Sequence, residues 1–252
     1  MRSWLETASD HFTARHDETD AEAAAEVLEL LESTRERLGR VFPELPEEVA
    51  VVIHATDAQL MIAQPLLPLR RLITAPAARR YLAGGVSRRE VHVLSPARLE
   101  ERASAVTGSR EMLMLTPAAL YARLVVAANN PLLTPPRTIG RTVRSLRWAW
   151  LAAGAPAWFA GQTAHARPAI SRRLHEGAEP DFPPGLRDAA LLGGTVIDLL
   201  AREEGEIAAV NLAMHLDAGG PKQALVRAFH GRPLVHTEGT WRAHLAKLAS
   251  SG

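Results

Sequence analysis

Strand-forming runs are confined to the first 95 residues of this chain, and this segregation constrains its fold more than any other feature. Val49–His54 is a β-branched run of strand length, and we expect it to be buried on both faces of a sheet. His11–His16 and Val91–Leu94 are shorter strand candidates, and Ala21–Phe42 carries apolar residues at helical spacing. From Pro96 onward the pattern predicts almost only helices. We therefore predict an α+β fold with an N-terminal mixed β-sheet and a helix, followed by a C-terminal helical half.

The helical half contains several separate predicted helices and no internal repeat or low-complexity linker. They span Ala97–Ala105, Pro117–Ala128, Arg137–Ala153, Ala157–Ala164, Leu186–Arg202, Ile207–Leu216, Pro221–Phe229 and Thr240–Leu248. In the first half, Ala58–Ala83 reads as helical pieces broken by prolines, and Gly84-Gly85 is predicted to be a turn. The expected organisation is a sheet-containing subdomain (1–95) and a helical subdomain (96–252) that together form one unit.

Composition excludes several classes of function. The chain has no cysteine, which removes disulfides, cysteine zinc sites, iron–sulfur clusters and thiol nucleophiles. A net charge of +1 gives no strong signal for nucleic acid. The longest near-apolar stretch, Trp148–Gly161, is shorter than the roughly 20 residues that span a bilayer. With no signal peptide expected at the acidic start, the predicted location is the cytoplasm.

The order of these elements, together with several short segments, resembles the peptidase MA-like family of gluzincins. The segments that carry the resemblance are Ser9–Thr13, Ala155–Ala164, Thr195–Leu200 with Glu204-Gly205, and Ala224–Gly231 with Trp241 and Leu245. Ala155–Ala164 is similar to the family segment Pro-x-Trp-Leu-x-Glu-Gly-x-Ala. The resemblance implies a zincin-like fold in which a metal cleft lies between the N-terminal sheet and the helical half.

The residues that would perform the family's chemistry are missing. A His-Glu-x-x-His helix presents two zinc ligands on one face and a glutamate that activates water, and a second glutamate completes the site. In the equivalent stretch Ala122 and Val126 occupy the histidine positions and Arg123 the glutamate position, while Gly161 replaces the second glutamate. The resemblance therefore implies no catalytic residue, metal or cofactor here. We expect the three small residues to pack together as interior and Arg123 to turn outward or pair with a carboxylate.

The leading hypothesis is thus a catalytically inactive metallopeptidase homologue, a pseudopeptidase that acts as a binding or scaffold protein. Its partner is unknown, and a protein or peptide in the degenerate cleft fits the resemblance. A hydrolase with relocated catalytic groups is the alternative, and it requires titratable residues to converge in one pocket. The residues considered for it are His11, His16, His54 and His92 on strands, His175-Glu176, His230, His236, and Asp198, the last expected to pair with an arginine.

A third hypothesis concerns a stripe of arginines. Arg137, Arg141 and Arg144 lie at helical spacing, with Arg147 beside them. Such a helix can be an ordinary surface helix whose arginines pair with acids. It can also bind anions or make peripheral contact with a membrane surface.

Overall fold

The computed structural model describes residues 4–133 and 146–250. Its five-stranded sheet lies entirely in the N-terminal part of the chain, and helices make up most of the rest, so the predicted α+β segregation is confirmed. The strands are β1 (Trp4–Ala8), β2 (Phe12–Asp17), β3 (Val49–His54), β4 (Gly84–Ser87) and β5 (Glu90–Leu94). Their order is β1-β2-β3-β5-β4, in which β2, β3 and β5 are parallel and β1 and β4 are antiparallel edge strands.

The helices follow the predicted series with shifted boundaries. They are α1 (Ala21–Gly39), α2 (Asp57–Ala63), α3 (Leu67–Ile73), α4 (Pro76–Arg79), α5 (Pro96–Arg102), α6 (Ser109–Met114), α7 (Thr116–Asn129), α8 (Ala149–Phe159), α9 (Arg167–Leu174), α10 (Ala189–Glu204), α11 (Glu206–Met214), α12 (Pro221–Ala228) and α13 (Leu234–Ser250). The sequence patterns missed β1, α6 and α9, and they placed the start of the last helix six residues late. Ala157–Ala164 is not a separate helix, because α8 ends at Phe159 and a short 3-10 turn, Gln162–His165, follows.

One face of the sheet is fully buried at its centre, and the other face is covered only in part. Along β3, Val49, Val51 and Ile53 are fully buried, whereas Ala50 and Val52 are half-buried. This alternation corrects the expectation that β3 is buried on both faces. Helices α1 and α7 pack on the buried face, where the rings of Phe12 and Tyr121 meet edge to face at 5.0 Å.

Gly84 and Gly85 form a strand rather than the predicted turn. They belong to β4, and the reversal into β5 occurs at Arg88, whose φ is +51°. A Cβ at Gly84 would lie 2.6 Å from both the backbone oxygen of His92 and Cδ1 of Leu120. Glycine is therefore required here because the edge strand rests directly on α7.

One hydrophobic core connects the sheet to the helical half, so residues 4–95 and the described residues that follow them share their interior. Helix α7 contacts α1, β4, β5 and α8, and α8 crosses α10 at very short range. A Cβ at Gly154 would lie 2.1 Å from the backbone carbon of Gly193, which shows how closely the two helix backbones approach. Within residues 4–133 and 146–250, no helix is long and apolar enough to cross a bilayer.

Candidate functional site

A cavity of about 80 Å³ lies where the edge strand β4 meets helices α7 and α8. Its lining residues are Arg70, Ala78, Tyr81, Leu82, Ala83, Gly84, Met112, Thr116, Ala119, Leu120, Arg123, Ala152, Ala153, Pro156, Ala157, Gln162 and Ala190. Among the described residues that line it, none is His, Asp or Glu. The cavity therefore combines small apolar side chains with two arginines and a few neutral polar groups.

The two arginines, Arg70 on α3 and Arg123 on α7, carry the charge of this cavity. In the described part of the chain neither guanidinium has an ion-pair partner. Both side chains are half-buried, and Nε of Arg123 is shielded from solvent without a hydrogen-bond partner. Burial lowers the pKa of Arg123, and the neighbouring charge of Arg70 lowers it further. We expected Arg123 to turn outward or to pair with a carboxylate, and its side chain is half-buried. It lines the cavity and, among the described residues, has no carboxylate partner.

Three neutral polar side chains complete the lining. Thr116 is almost fully buried and its Oγ1 has no hydrogen-bond partner among the described residues. Gln162 donates from Nε2 to the backbone oxygen of Met112 at 2.8 Å, and the hydroxyl of Tyr81 donates to Oγ of Ser109 at 3.1 Å. Of the three, Thr116 is the one whose hydrogen-bonding capacity is left unused.

The positions inferred from the family resemblance do not all face this cavity. Ala122 and Val126 are buried in the main core, and Gly161 lies in a separate cavity with Arg37 and Trp158. Because successive residues rotate by about 100° around a helix, the face of α7 that lines the cavity carries other positions. Two pairs four residues apart on α7 line it, Thr116 with Leu120 and Ala119 with Arg123, and in the second pair the residue after Ala119, Leu120, lines the cavity as well. The expected grouping of Ala122, Val126 and Gly161 around one cleft is not what the cavity lining shows.

A larger groove of about 990 Å³ adjoins the cavity along the same face of α7. It is lined by the 44–47 segment before β3, the β4–β5 turn (86–89), and α7 residues that include Leu124 and Ala127. Arg123 lines both spaces, so it stands at their junction. The groove is lined by both acidic and basic residues. In the small cavity, the described charged lining residues are the two arginines.

The strand histidines do not converge on one point. Nε2 of His54 lies 3.2 Å from Nδ1 of His92, and Nε2 of His92 lies 3.5 Å from a carboxylate oxygen of Glu90. His16 instead bonds Oγ1 of Thr7 at 2.8 Å, and His11 pairs with Glu32. Burial, with a smaller contribution from His92, lowers the pKa of His54 to about 4. Within the described residues, no group of three or more His, Asp or Glu side chains is arranged to hold a metal.

Asp198 on α10 is a hub of hydrogen bonds. Its carboxylate accepts bonds from Nε of Arg202 at 2.8 Å and from Nε1 of Trp158 at 3.2 Å, and it lies 2.9 Å from Nε2 of His244. Burial raises the pKa of Asp198, but these donors together lower it to about 2. The predicted pairing with an arginine is confirmed, and Trp158 and His244 are partners that the sequence did not indicate. The network ties α8, α10 and α13 together.

The remaining candidates lie apart from the cavity. His175 bonds the backbone oxygen of Ser171, and Nε2 of His230 lies 3.1 Å from Glu204. Arg137, Arg141 and Arg144 fall outside the described residues, so the anion-binding stripe stays a prediction. Arg147 is exposed, and its guanidinium lies close to the backbone of Gly220.

Sequence reasoning identified Arg123 but missed its companions Arg70, Thr116 and Ala153. Arg70 lies in a segment that its prolines make irregular in sequence, so no regular pattern singled it out, and no local pattern links it to α7. No protein-family model matches the chain, and no similar protein was found among curated proteins or solved structures.

Proposed function

We propose that this protein is a non-catalytic relative of gluzincin peptidases that binds a peptide in the cleft between β4 and α7. The observation that carries the proposal is the cavity lining. Where two helices meet beside an edge strand, the walls are mainly alanines and leucines with two arginines, and no described lining residue is His, Asp or Glu. Methyl groups offer no lone pair to zinc, and a fixed positive charge repels a divalent cation.

The cavity suggests a better correspondence with the family motif than the sequence did. Ala119, Leu120 and Arg123 have the spacing of His-Glu-x-x-His, and all three line the cavity. On α8, Trp150–Gly154 has the spacing Trp-Leu-x-x-Gly, with Ala153 at the position of the second glutamate. Ala153 lines the same cavity. In this correspondence, the positions of the two histidines and the two glutamates of the family therefore all line one cavity.

The groove next to the cavity supports a peptide ligand. In the described sheet β4 pairs only with β5, which leaves hydrogen-bonding groups along its other edge for an extended chain. Val86 and Ser87 of β4 line the groove opposite Leu124 and Ala127 of α7. An extended peptide there would run along the strand and reach Arg123 at the junction with the small cavity.

A metal-gain variant tests the scaffold directly. Ala119→His, Arg123→His and Ala153→Glu together would place two imidazoles and a carboxylate on one cavity, which is the three-ligand set of a catalytic zinc site. We expect this triple variant to bind one zinc ion per chain, measured by metal analysis after dialysis. The control carries Ala122→His, Val126→His and Gly161→Glu. Because Ala122 and Val126 lie in the core, we expect this control to lose stability and to gain no zinc.

The unmodified protein provides the opposite test. After purification and incubation with excess zinc, it should retain no stoichiometric metal and should not cleave a broad set of peptides. A zinc-dependent peptidase activity that a chelator abolishes would contradict the proposal. Failure of the triple variant to bind zinc while remaining folded would argue against the gluzincin-like correspondence.

A further inference from the structure

Two arginines share the small cavity without a counter-ion among the described residues. We propose that this cavity binds the C-terminal carboxylate of the peptide, with Arg123 and Arg70 as the anion-binding residues. The inference rests on the proposed function and adds the ligand group that the cavity recognises. Thr116 supplies a further hydrogen-bond donor from its unpaired hydroxyl.

The first argument is the unsatisfied charge. Arg70 and Arg123 are half-buried, and a guanidinium partly removed from water is normally stabilised by a carboxylate or by several hydrogen bonds. Arg35, for comparison, donates from Nη1 to the backbone oxygen of Pro46 at 2.7 Å and to the hydroxyl of Tyr121 at 3.0 Å. Nε of Arg123 has no such partner, and the charge of Arg70 opposes its own. A bound carboxylate would satisfy both arginines at once.

The second argument is size. A cavity of about 80 Å³ has room for roughly five water molecules, which is enough for a carboxylate and a short aliphatic side chain. Ala119, Ala153 and Ala157 provide an apolar wall suited to such a side chain. A whole peptide does not fit, so the chain must occupy the adjoining groove and only its end can enter. Arg123 lies where the two spaces meet, which is where the terminal carboxylate of such a chain would arrive.

The third argument distinguishes a carboxylate from a phosphate. The two guanidinium charges suit either anion, but the apolar wall of Ala119, Ala153 and Ala157 suits the aliphatic side chain that a C-terminal residue carries beside its carboxylate and that a free phosphate lacks. A phosphate has more oxygens and up to two charges, and anion sites for it normally use backbone N–H groups as well. In the cavity lining, the buried side-chain atoms without a hydrogen-bond partner among the described residues are Nε of Arg123 and Oγ1 of Thr116.

The test compares matched peptides. The probes are N-acetylated tripeptides of the form acetyl-Ala-Ala-X, with X an aliphatic residue, each prepared with a free carboxylate and with a C-terminal amide. Inorganic phosphate is the third probe. Binding is measured by titration followed in NMR spectra of the full chain. We expect the acids to bind at least tenfold more tightly than the amides and more tightly than phosphate.

Substitutions test which residues cause the preference for the free acid over the amide. Arg123→Gln and Arg70→Gln should each abolish the preference for the acid, and Thr116→Val should reduce it. Arg40→Gln, which changes an exposed arginine that lines neither the cavity nor the groove, should leave the preference intact. Thermal unfolding of every variant confirms that it is folded, so a lost preference reports on binding.

Several outcomes would overturn the inference. Equal binding of acids and amides would remove the carboxylate assignment and leave the proposed peptide-binding function standing. Tighter binding of phosphate with the same dependence on Arg123 and Arg70 would reassign the cavity to phosphate. If neither peptide form binds, the inference fails. The metal-gain variant still tests independently whether the chain has a gluzincin-like arrangement of these positions.

Discussion

The rings of His54 and His92 stack in nearly parallel planes, with Nε2 of His54 3.2 Å from Nδ1 of His92. A hydrogen bond between two ring nitrogens needs one of them unprotonated, so the pair is incompatible with two imidazolium ions. Both side chains are buried, and burial lowers the pKa of each, with Glu90 opposing the effect at His92. The pair therefore makes folding sensitive to mild acid.

We predict that the free energy of unfolding falls as the pH is lowered from about 6.5 to about 4. In that window unfolded His54, with its ordinary pKa of 6.5, binds a proton that folded His54, with a pKa of about 4, does not bind. Acid therefore favours the unfolded chain, and the stability is fully present above pH 6.5. The full effect is on the order of 3 kcal/mol, measurable by urea unfolding across pH.

His54→Leu should flatten this pH dependence. Asp198→Asn is the control, because the folded pKa of Asp198 is about 2 and its ordinary pKa is 3.8. The stability that Asp198 contributes is present above its ordinary pKa and is lost as the pH falls through the folded one, outside the histidine window. An unchanged slope between pH 6.5 and 4 in His54→Leu would contradict the assignment.

The crossing of α8 and α10 should not tolerate a methyl group. A Cβ at Gly193 would lie 2.1 Å from the backbone oxygen of Trp150, and backbone cannot move aside as a flexible side chain can. We expect Gly193→Ala to destabilise the protein by about 3 kcal/mol. Gly239→Ala on α13 is the matched control, because nothing lies within 4 Å of its Cβ position. That variant should gain roughly 0.5–1 kcal/mol in thermal unfolding.

The ion pair between Arg173 and Asp188 should matter far more than a surface pair. Nη2 of Arg173 lies 2.8 Å from Oδ2 of Asp188, and both side chains are less than 8% exposed. Asp188→Asn leaves a buried guanidinium without its anion and should cost about 3–5 kcal/mol. Glu36→Gln, which breaks the exposed pair with Arg40, should change stability by less than about 0.5 kcal/mol. Similar losses in the two variants, measured by denaturant unfolding, would contradict this ranking.

When no ligand is bound, we expect Arg123 to lower the free energy of unfolding. We predict that Arg123→Gln is neutral or stabilises the free protein by on the order of 1 kcal/mol, because it removes a partly desolvated charge that Arg70 repels. Arg35→Gln should instead destabilise by about 1–2 kcal/mol, since it breaks two hydrogen bonds. A clear loss of stability in Arg123→Gln would indicate a structural role for this arginine.

Local patterns in the sequence predicted most of the fold. The apolar spacing in Ala21–Phe42 and the β-branched run Val49–His54 gave α1 and β3 with boundaries within a few residues. Predictions from the sequence were wrong where the local pattern and the tertiary packing favour different structures. Gly84-Gly85 has the composition of a turn, yet it forms an edge strand because only glycine lets that strand rest on α7.

The candidate site depended much more on tertiary structure. The sequence by itself determined that no His-Glu-x-x-His motif is present and that Arg123 stands on a helix in the second half of the chain. Only the structure decided which face of α7 lines the cavity, that Ala119 and Ala153 share it with Arg123, and that Arg70 comes from a helix more than fifty residues earlier. Helical periodicity fixes which residues share a face. Which face meets the edge strand depends on packing between distant segments, and that information is not local in the sequence.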